Sequence, residues 1–171
     1  MPTSEKNNEK PLRGFSSRRQ NGIHFVGLSS GGASIANSEI IGLDIGHVHT
    51  GMARASTVAK LAEPLVSIET ARLIEELTSM INQGAGIIVV GLPRSLNGKD
   101  TAQTKWLRQF VGTAKAKLPK VHFYFQDEAL TSLEARIKKL ESKKHLDEHA
   151  LAAAIILQDF LDNPEELRVA V

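Results

Sequence analysis

The apolar positions of this chain fall into two rhythms. Short alternating or continuous apolar stretches read as strands: Ile40–Asp44, Thr50–Ser56, Leu65–Glu69, GIIVVGLP at 86–93 and VHFYFQDE at 121–128. The second-last of these is apolar almost throughout, as a central strand covered on both faces must be. Elsewhere the spacing changes to three and four residues. ARLIEELTSMINQG sets Leu73, Ile74, Leu77, Met80 and Ile81 at helical intervals and ends on Gly84, a helix stop. Thr101–Leu118 carries Trp106, Leu107, Phe110 and Val111 on one face, and Pro119 closes it. Thr131 with Glu134 makes a capping box ahead of SLEARIKKLESKK. HALAAAIILQDFL is apolar nearly all round, which predicts a deeply buried last helix.

The order β-β-β-α-β-α-β-α-α predicts an α/β fold. The first three strands can form a meander, and the later βαβ units need parallel pairing with right-handed crossovers. The expected architecture is one mixed five-stranded central sheet with helices on both faces. Residues 1–37, rich in Ser, Asn, Gly and Lys, predict a disordered basic tail. A globular domain is expected over 38–163 and a short C-terminal tail over 164–171.

Charge refines this picture. The formal charge is +2, but residues 1–37 hold five basic and two acidic side chains, leaving 16 basic and 17 acidic in the remainder. Nucleic-acid affinity must therefore come from a local patch or from the tail. With no cysteine, disulfides, cysteine-ligated zinc and a cysteine nucleophile are excluded. No apolar run reaches the ~18 residues of a membrane span, and the N-terminus lacks the apolar core of a secretion signal. The expected location is the cytoplasm.

The candidate chemistry lies at strand ends. Asp44 closes the first strand, with Gly46 and Gly51 after it, and Glu128 closes the fifth, preceded by Asp127. Functional residues of α/β sheets collect where loops open a crevice at strand ends. If the two strands are parallel neighbours, Asp44 and Glu128 face one crevice. Asp147 and His149, at the start of the last helix, can complete the cluster. Packed carboxylates repel unless a divalent cation joins them. Mg²⁺ prefers oxygen ligands and keeps waters that phosphate oxygens can replace. Two ions ~3.5–4 Å apart can activate water and stabilise the leaving oxygen of a phosphodiester. The expected cofactor is Mg²⁺ or Mn²⁺, two ions, held by Asp44, Glu128, Asp147 and His149.

Each residue also has a plainer role open to it. Asp44 can bond the following turn, Glu128 can pair with Arg136, His149 can be a satisfied histidine, and Asp147 is an ideal N-cap type. If Asp147 and His149 are both helical they point ~200° apart, whereas an extended Asp147 lets both face one site. A second signal, VVGLPRSLNGKDTAQT, runs from a strand through a polar loop into a helix. Its backbone donors, Arg94 and Lys99 suit a nucleic-acid backbone.

Four blocks in order, GLDIGHVHTGMA, IIVVGLPRSLNGKDTAQTKWLRQF, FQDEALTSLEA and DEHALAAAIILQDFL, together resemble the YqgF family, also called RuvX. Its members were described as Holliday junction resolvases and are now regarded as pre-16S ribosomal RNA nucleases. The resemblance covers residues 39–161. It implies an RNase H-like fold and a Mg²⁺-dependent endonuclease maturing the 5′ end of pre-16S rRNA in ribosome biogenesis. It also implies structured RNA or branched DNA as partner, and the near-neutral charge of the globular part adds ribosomal proteins as expected accessory partners. Asp44 and Glu128 would be catalytic metal ligands, with a third ligand on the closing helix. Two positions depart from the family pattern. His49 stands where a basic residue, often Arg, contacts phosphate. Counting six back from Ile155 to the family's acid lands on His149, not Asp147. A histidine ligand must be neutral imidazole, which changes charge and pH response. The alternatives are a resolvase of DNA junctions and a catalytically weak RNase H-like binding module. Asp44, Gly46 and Gly51 also resemble the phosphate loop of actin-like kinases, but 171 residues cannot supply the two domains those need.

Overall fold

A computed structural model describes residues 39–94, 100–129, 136–137, 147–162 and 168–171, without the side chains of Arg94, Glu128, Ala129, Arg168 and Val169. The expected N-terminal tail and Lys99 lie outside these residues. So does the helix expected after Thr131, except for Arg136 and Ile137, which are helical.

The strands are β1 (Glu39–Ile45), β2 (His49–Ser56), β3 (Glu63–Glu69), β4 (Ala85–Arg94), β5 (His122–Ala129) and β6 (Arg168–Ala170). The helices are α1 (Leu73–Asn82), α2 (Ala102–Lys117) and α3 (Glu148–Asp162), with a short 3₁₀ turn at Thr70–Arg72. The sheet runs β3-β2-β1-β4-β5-β6. β1 pairs parallel with β4, and β4 with β5, while the β1–β2, β2–β3 and β5–β6 pairs are antiparallel. β3, β2, β1, β4 and β5 form the expected mixed five-stranded sheet. β6 adds a sixth at the edge, inside the segment expected to be a tail. Three residues are too few to display a two-residue period, so sequence pattern could not reveal it.

Alternation along the strands sorts the core into two layers. Ile41, Leu43 and Ile45 of β1, with Ile88, Val90 and Leu92 of β4, pack under Leu73 and Leu77 of α1 and Leu107 and Val111 of α2. Ile40 of β1, Ile87 and Val89 of β4, and Ala53 and Ala55 of β2 pack under α3. α3 is buried at every position from Ala150 to Leu157, and Ile137 joins the same cluster. Small residues on the sheet let α3 approach closely. A Cβ at Gly42 would lie 2.7 Å from the Cβ of Leu157 and 2.9 Å from the carbonyl of Ala153.

The start of α2 is fixed by a reciprocal cap. Thr101 Oγ1 accepts from the Thr104 N–H at 3.1 Å, and Thr104 Oγ1 accepts from the Thr101 N–H at 3.2 Å. The Thr104 hydroxyl also donates to the Pro93 carbonyl at 2.6 Å, tying the helix to the end of β4. Among the described residues, no helix is long and apolar enough to cross a membrane.

Candidate active site

β1, β4 and β5 run parallel, so their C-terminal ends share one edge of the sheet. β1 and β5 are not neighbours, contrary to the simplest expectation, because β4 lies between them. The register aligns Leu43 with Val90 and Val90 with Phe125. Asp44 is therefore level with Gly91 and Gln126, and Glu128 sits two positions further along, opposite Pro93. Asp44 is in phase with Ile40 and Gly42. Glu128 is in phase with Tyr124, a residue packed against the α3 layer. The backbone thus puts both positions at one end and on one face, across about 10 Å of sheet.

The other side of the site is the head of α3. Asp44 pairs with Gly51 across the β1–β2 ladder. A Cβ at Gly51 would collide with the carbonyl of His149 and lie 2.8 Å from the Ala150 nitrogen. The bare glycine lets the first turn of α3 rest on β2 beside Asp44. There His149 Nδ1 stands 3.6 Å from Asp44 Oδ2, an electrostatic contact just beyond hydrogen-bonding distance. Burial pushes the Asp44 carboxyl above its ordinary value, His149 offsets part of that, and Glu148 adds to it. Asp44 still keeps 33% of its side-chain surface open and His149 50%, so both remain reachable from solvent.

Asp147 behaves differently from the ligand expected of it. Its Oδ1 accepts from the N–H groups of His149 and Ala150 at 3.1 and 3.2 Å, which makes it the N-cap of α3. Ser67 of β3 donates to it as well, from its N–H to Oδ2 at 3.0 Å and from its hydroxyl to Oδ1 at 2.5 Å. Partial burial pushes this carboxyl up, but the bonds from Ser67, Ala150 and His149 outweigh it and hold the group below its ordinary value. Both oxygens are engaged by the cap and the β3 clamp, and the residue presented to Asp44 is His149.

The turn between β1 and β2 completes the rim. The Gly46 N–H donates to the His49 carbonyl at 2.9 Å. Buried Thr70 supports the turn from below, its N–H donating to the Val48 carbonyl and its hydroxyl to the Gly46 carbonyl, each at 2.8 Å. With its own proton so placed, Thr70 accepts from the Thr50 hydroxyl at 2.8 Å. His49 is exposed, and its ring stacks towards that of His149, centroids 6.2 Å apart and planes 24° apart. Asp127 is exposed. The side chains of Arg94 and Glu128, and all of Lys99, lie outside the described residues.

The donor set suits a divalent cation. Asp44 is a desolvated anion with one described cation-capable neighbour, and a separation of 3.6 Å is one that two donors on a single ion can span at bonds of about 2.1 Å. Among the described residues, no cluster of three or more His, Asp or Glu side chains forms a metal site. Sequence reasoning singled out Asp44 and His149. It missed Ser67, Thr50 and Thr70, which act through bonds to residues 20 to 80 positions away and carry no local signature.

A family model described as RuvX, Holliday junction resolvase, matches residues 38–163. The chain belongs to the RuvX family. Two relatives of this RuvX chain illustrate its range, both named "Putative pre-16S rRNA nuclease". The protein from Bacteroides fragilis is 30% identical over 133 residues, covering 73% of this chain and 96% of its own. That from Sulfurihydrogenibium sp. is 34% identical over 133 residues, covering 73% of this chain and 90% of its own. Among solved structures, Thermus thermophilus RuvC is 16% identical with a TM-score of 0.48. It covers 78% of this chain and 99% of its own.

Proposed function

We propose that this RuvX chain is a divalent-metal-dependent endonuclease that hydrolyses phosphodiester bonds at the 5′ end of pre-16S rRNA, in the cytoplasm, during ribosome biogenesis. One observation carries this reading: a desolvated carboxylate, Asp44, at the C-terminal end of β1, with His149 3.6 Å away. Glu128 in register at the same sheet edge and the names of the RuvX relatives agree with it.

Asp44, Glu128 and His149 would hold Mg²⁺ or Mn²⁺, two ions in the full site. The bound ions supply an activated water and charge to stabilise the leaving oxygen. The chain's own residues hold that chemistry in place. The Asp44–Gly51 pairing and the Gly51–His149 contact set the distance between the two described donors. Asp147 fixes the start of α3 and so the direction from which His149 arrives. Exposed His49, beside His149, is proposed to contact a phosphate, and Arg94 and Lys99 to contact the nucleic-acid backbone.

The test is cleavage of a precursor-16S 5′-end fragment by the pure protein with Mg²⁺ or Mn²⁺, beside Asp44→Asn and beside a four-way DNA junction. Metal-dependent cutting of the RNA that the variant loses by orders of magnitude supports the reading. Cutting of the junction alone makes the protein a resolvase, as the RuvX description has it. Retention of RNA without cutting under either metal makes it a binding module.

A further inference from the structure

The β1–β2 turn carries a second ring, on the side of the sheet away from His149. His47 is exposed, and its imidazole stands 4.0 Å from the indole of Trp106, centroid to centroid, at a tilt of 40°. Trp106 in turn contacts Phe110 at 5.6 Å and 32°. Both pack against the core beneath α1 and α2. Three rings thus form a row at the margin of the core that ends in an accessible imidazole. Trp106 backs the outermost ring on one face, and the bonds from Thr70 to Gly46 and Val48 fix the turn that bears it.

A histidine there is not required for the core, which Trp106 and Phe110 already close. A ring that is both exposed and immobilised is what an unpaired base stacks on. Aromatic and histidine side chains take unstacked bases in this way, and the contact tolerates any base because each has a π-face. The position fits the site. His47 lies three positions after Asp44, at most about 11 Å of chain, or roughly one to three nucleotides along a strand.

We infer that His47 and Trp106 form a stacking platform for an unpaired nucleobase, one to three nucleotides from the phosphodiester held at Asp44. The inference rests on the nuclease reading and narrows it, because the strand entering this site is single-stranded at that point. A fully paired helix cannot offer a base to His47 without unstacking it.

Trp106 is the chain's single tryptophan, so its emission reports on this locus alone. The experiment titrates the full chain, with Ca²⁺ replacing Mg²⁺, with three short RNAs carrying a terminal fluorophore: single-stranded, fully paired, and paired with a three-nucleotide bulge. Anisotropy reports binding and tryptophan emission reports the platform. The single-stranded and bulged RNAs are expected to bind and to change Trp106 emission, and the paired RNA to leave it unchanged. His47→Ala should weaken binding of the unpaired RNAs about ten-fold or more and leave paired RNA unaffected. His47→Phe should restore it, since a ring is needed and a charge is not. RNA that binds without altering Trp106 emission, or His47→Ala binding all three RNAs as the wild type does, overturns the platform and leaves the nuclease reading standing. A protein that neither binds these RNAs nor cuts the precursor fragment sinks both.

Discussion

Ser67 grips Asp147 with two donors, its backbone N–H at 3.0 Å and its hydroxyl at 2.5 Å. The contact joins the edge strand of the sheet to the head of the last helix, across 80 residues of sequence. Asp147 is thereby a fastener, and His149, two residues on, is the group facing Asp44. Removing each should have opposite consequences. Asp147→Ala should lower stability by ~1 kcal/mol, the usual cost of a lost N-cap. For a chain of this size that is about 2–4 °C in Tm. His149→Ala, at a half-exposed position, should stay within about 0.5 kcal/mol of wild type and lose cleavage by about a hundred-fold or more. Thermal unfolding and single-turnover cleavage of both variants check this. Equal activity loss with unchanged stability in Asp147→Ala would return it to the ligand set.

The two acids should also leave opposite marks on stability against pH. Asp147 has a folded pKa below its unfolded value, so its stabilisation is complete above the unfolded value and is lost as pH falls through the folded one. Asp44 has a raised folded pKa, so the folded chain binds its proton more readily than the unfolded chain does. Its charged form becomes a liability as pH rises from the ordinary carboxylate value, about 3.9, through the folded value, and stays one above that. In EDTA, Asp44→Asn should therefore be more stable than wild type at neutral pH, with the gain vanishing below about pH 4. Asp147→Ala should be less stable at neutral pH, with that deficit shrinking in acid. Urea unfolding between pH 3 and 8 reads both, and parallel curves for the two variants would refute the assignment.

Gly51 should prove to be a functional glycine without touching substrate. A Cβ there meets backbone of His149 and Ala150, which cannot swing aside as a side-chain tip can. Gly51→Ala should cost ~1–3 kcal/mol through overpacking and reduce cleavage further than that loss of folded protein explains, because the head of α3 must lift away from Asp44. Gly112, in α2, is the control: a Cβ there meets nothing within 4 Å. Gly112→Ala should raise stability by about 0.5–1 kcal/mol, the helix cost of glycine relieved, with activity unchanged. Equal behaviour of the two alanines in paired melting and cleavage assays would remove the role given to Gly51.

Much of this architecture was legible because the core obeys simple periods. Ile41, Leu43 and Ile45 alternate with Ile40 and Gly42 because β1 is covered on both faces, and the all-round apolar character of α3 reflects its burial from Ala150 to Leu157. Asp44 stood out because a carboxylate ending such a strand has no packing use. Which of Asp147 and His149 stands beside Asp44 was not decidable by counting, since it turns on which residue is the last extended one before α3. That is set by Ser67, far away in sequence. The support of the β1–β2 turn by Thr70 was hidden for the same reason: a buried threonine has no pattern of its own, only partners. The β1–β4–β5 order was open until pairing was seen, because two strands that each end in an acid do not say what lies between them.

The last prediction concerns the metal. Carboxylate, carbonyl and water oxygens suit Mg²⁺, whereas imidazole nitrogen favours softer first-row ions, so a site that includes His149 should rank Mn²⁺ above Mg²⁺ more strongly than an all-carboxylate site does. Chelation with EDTA should abolish cleavage, and added Mn²⁺ should restore it at lower concentration than Mg²⁺. His149→Asp replaces the nitrogen by oxygen and adds a negative charge beside Asp44. The variant should bind Mg²⁺ more tightly relative to Mn²⁺, by about ten-fold in the ratio, corresponding to about 1.4 kcal/mol. Calorimetric titration of wild type and variant with each ion, without nucleic acid, measures the ratio apart from catalysis. An unchanged Mn²⁺-to-Mg²⁺ ratio would mean that His149 does not reach the ion and serves Asp44 only as a neighbouring charge.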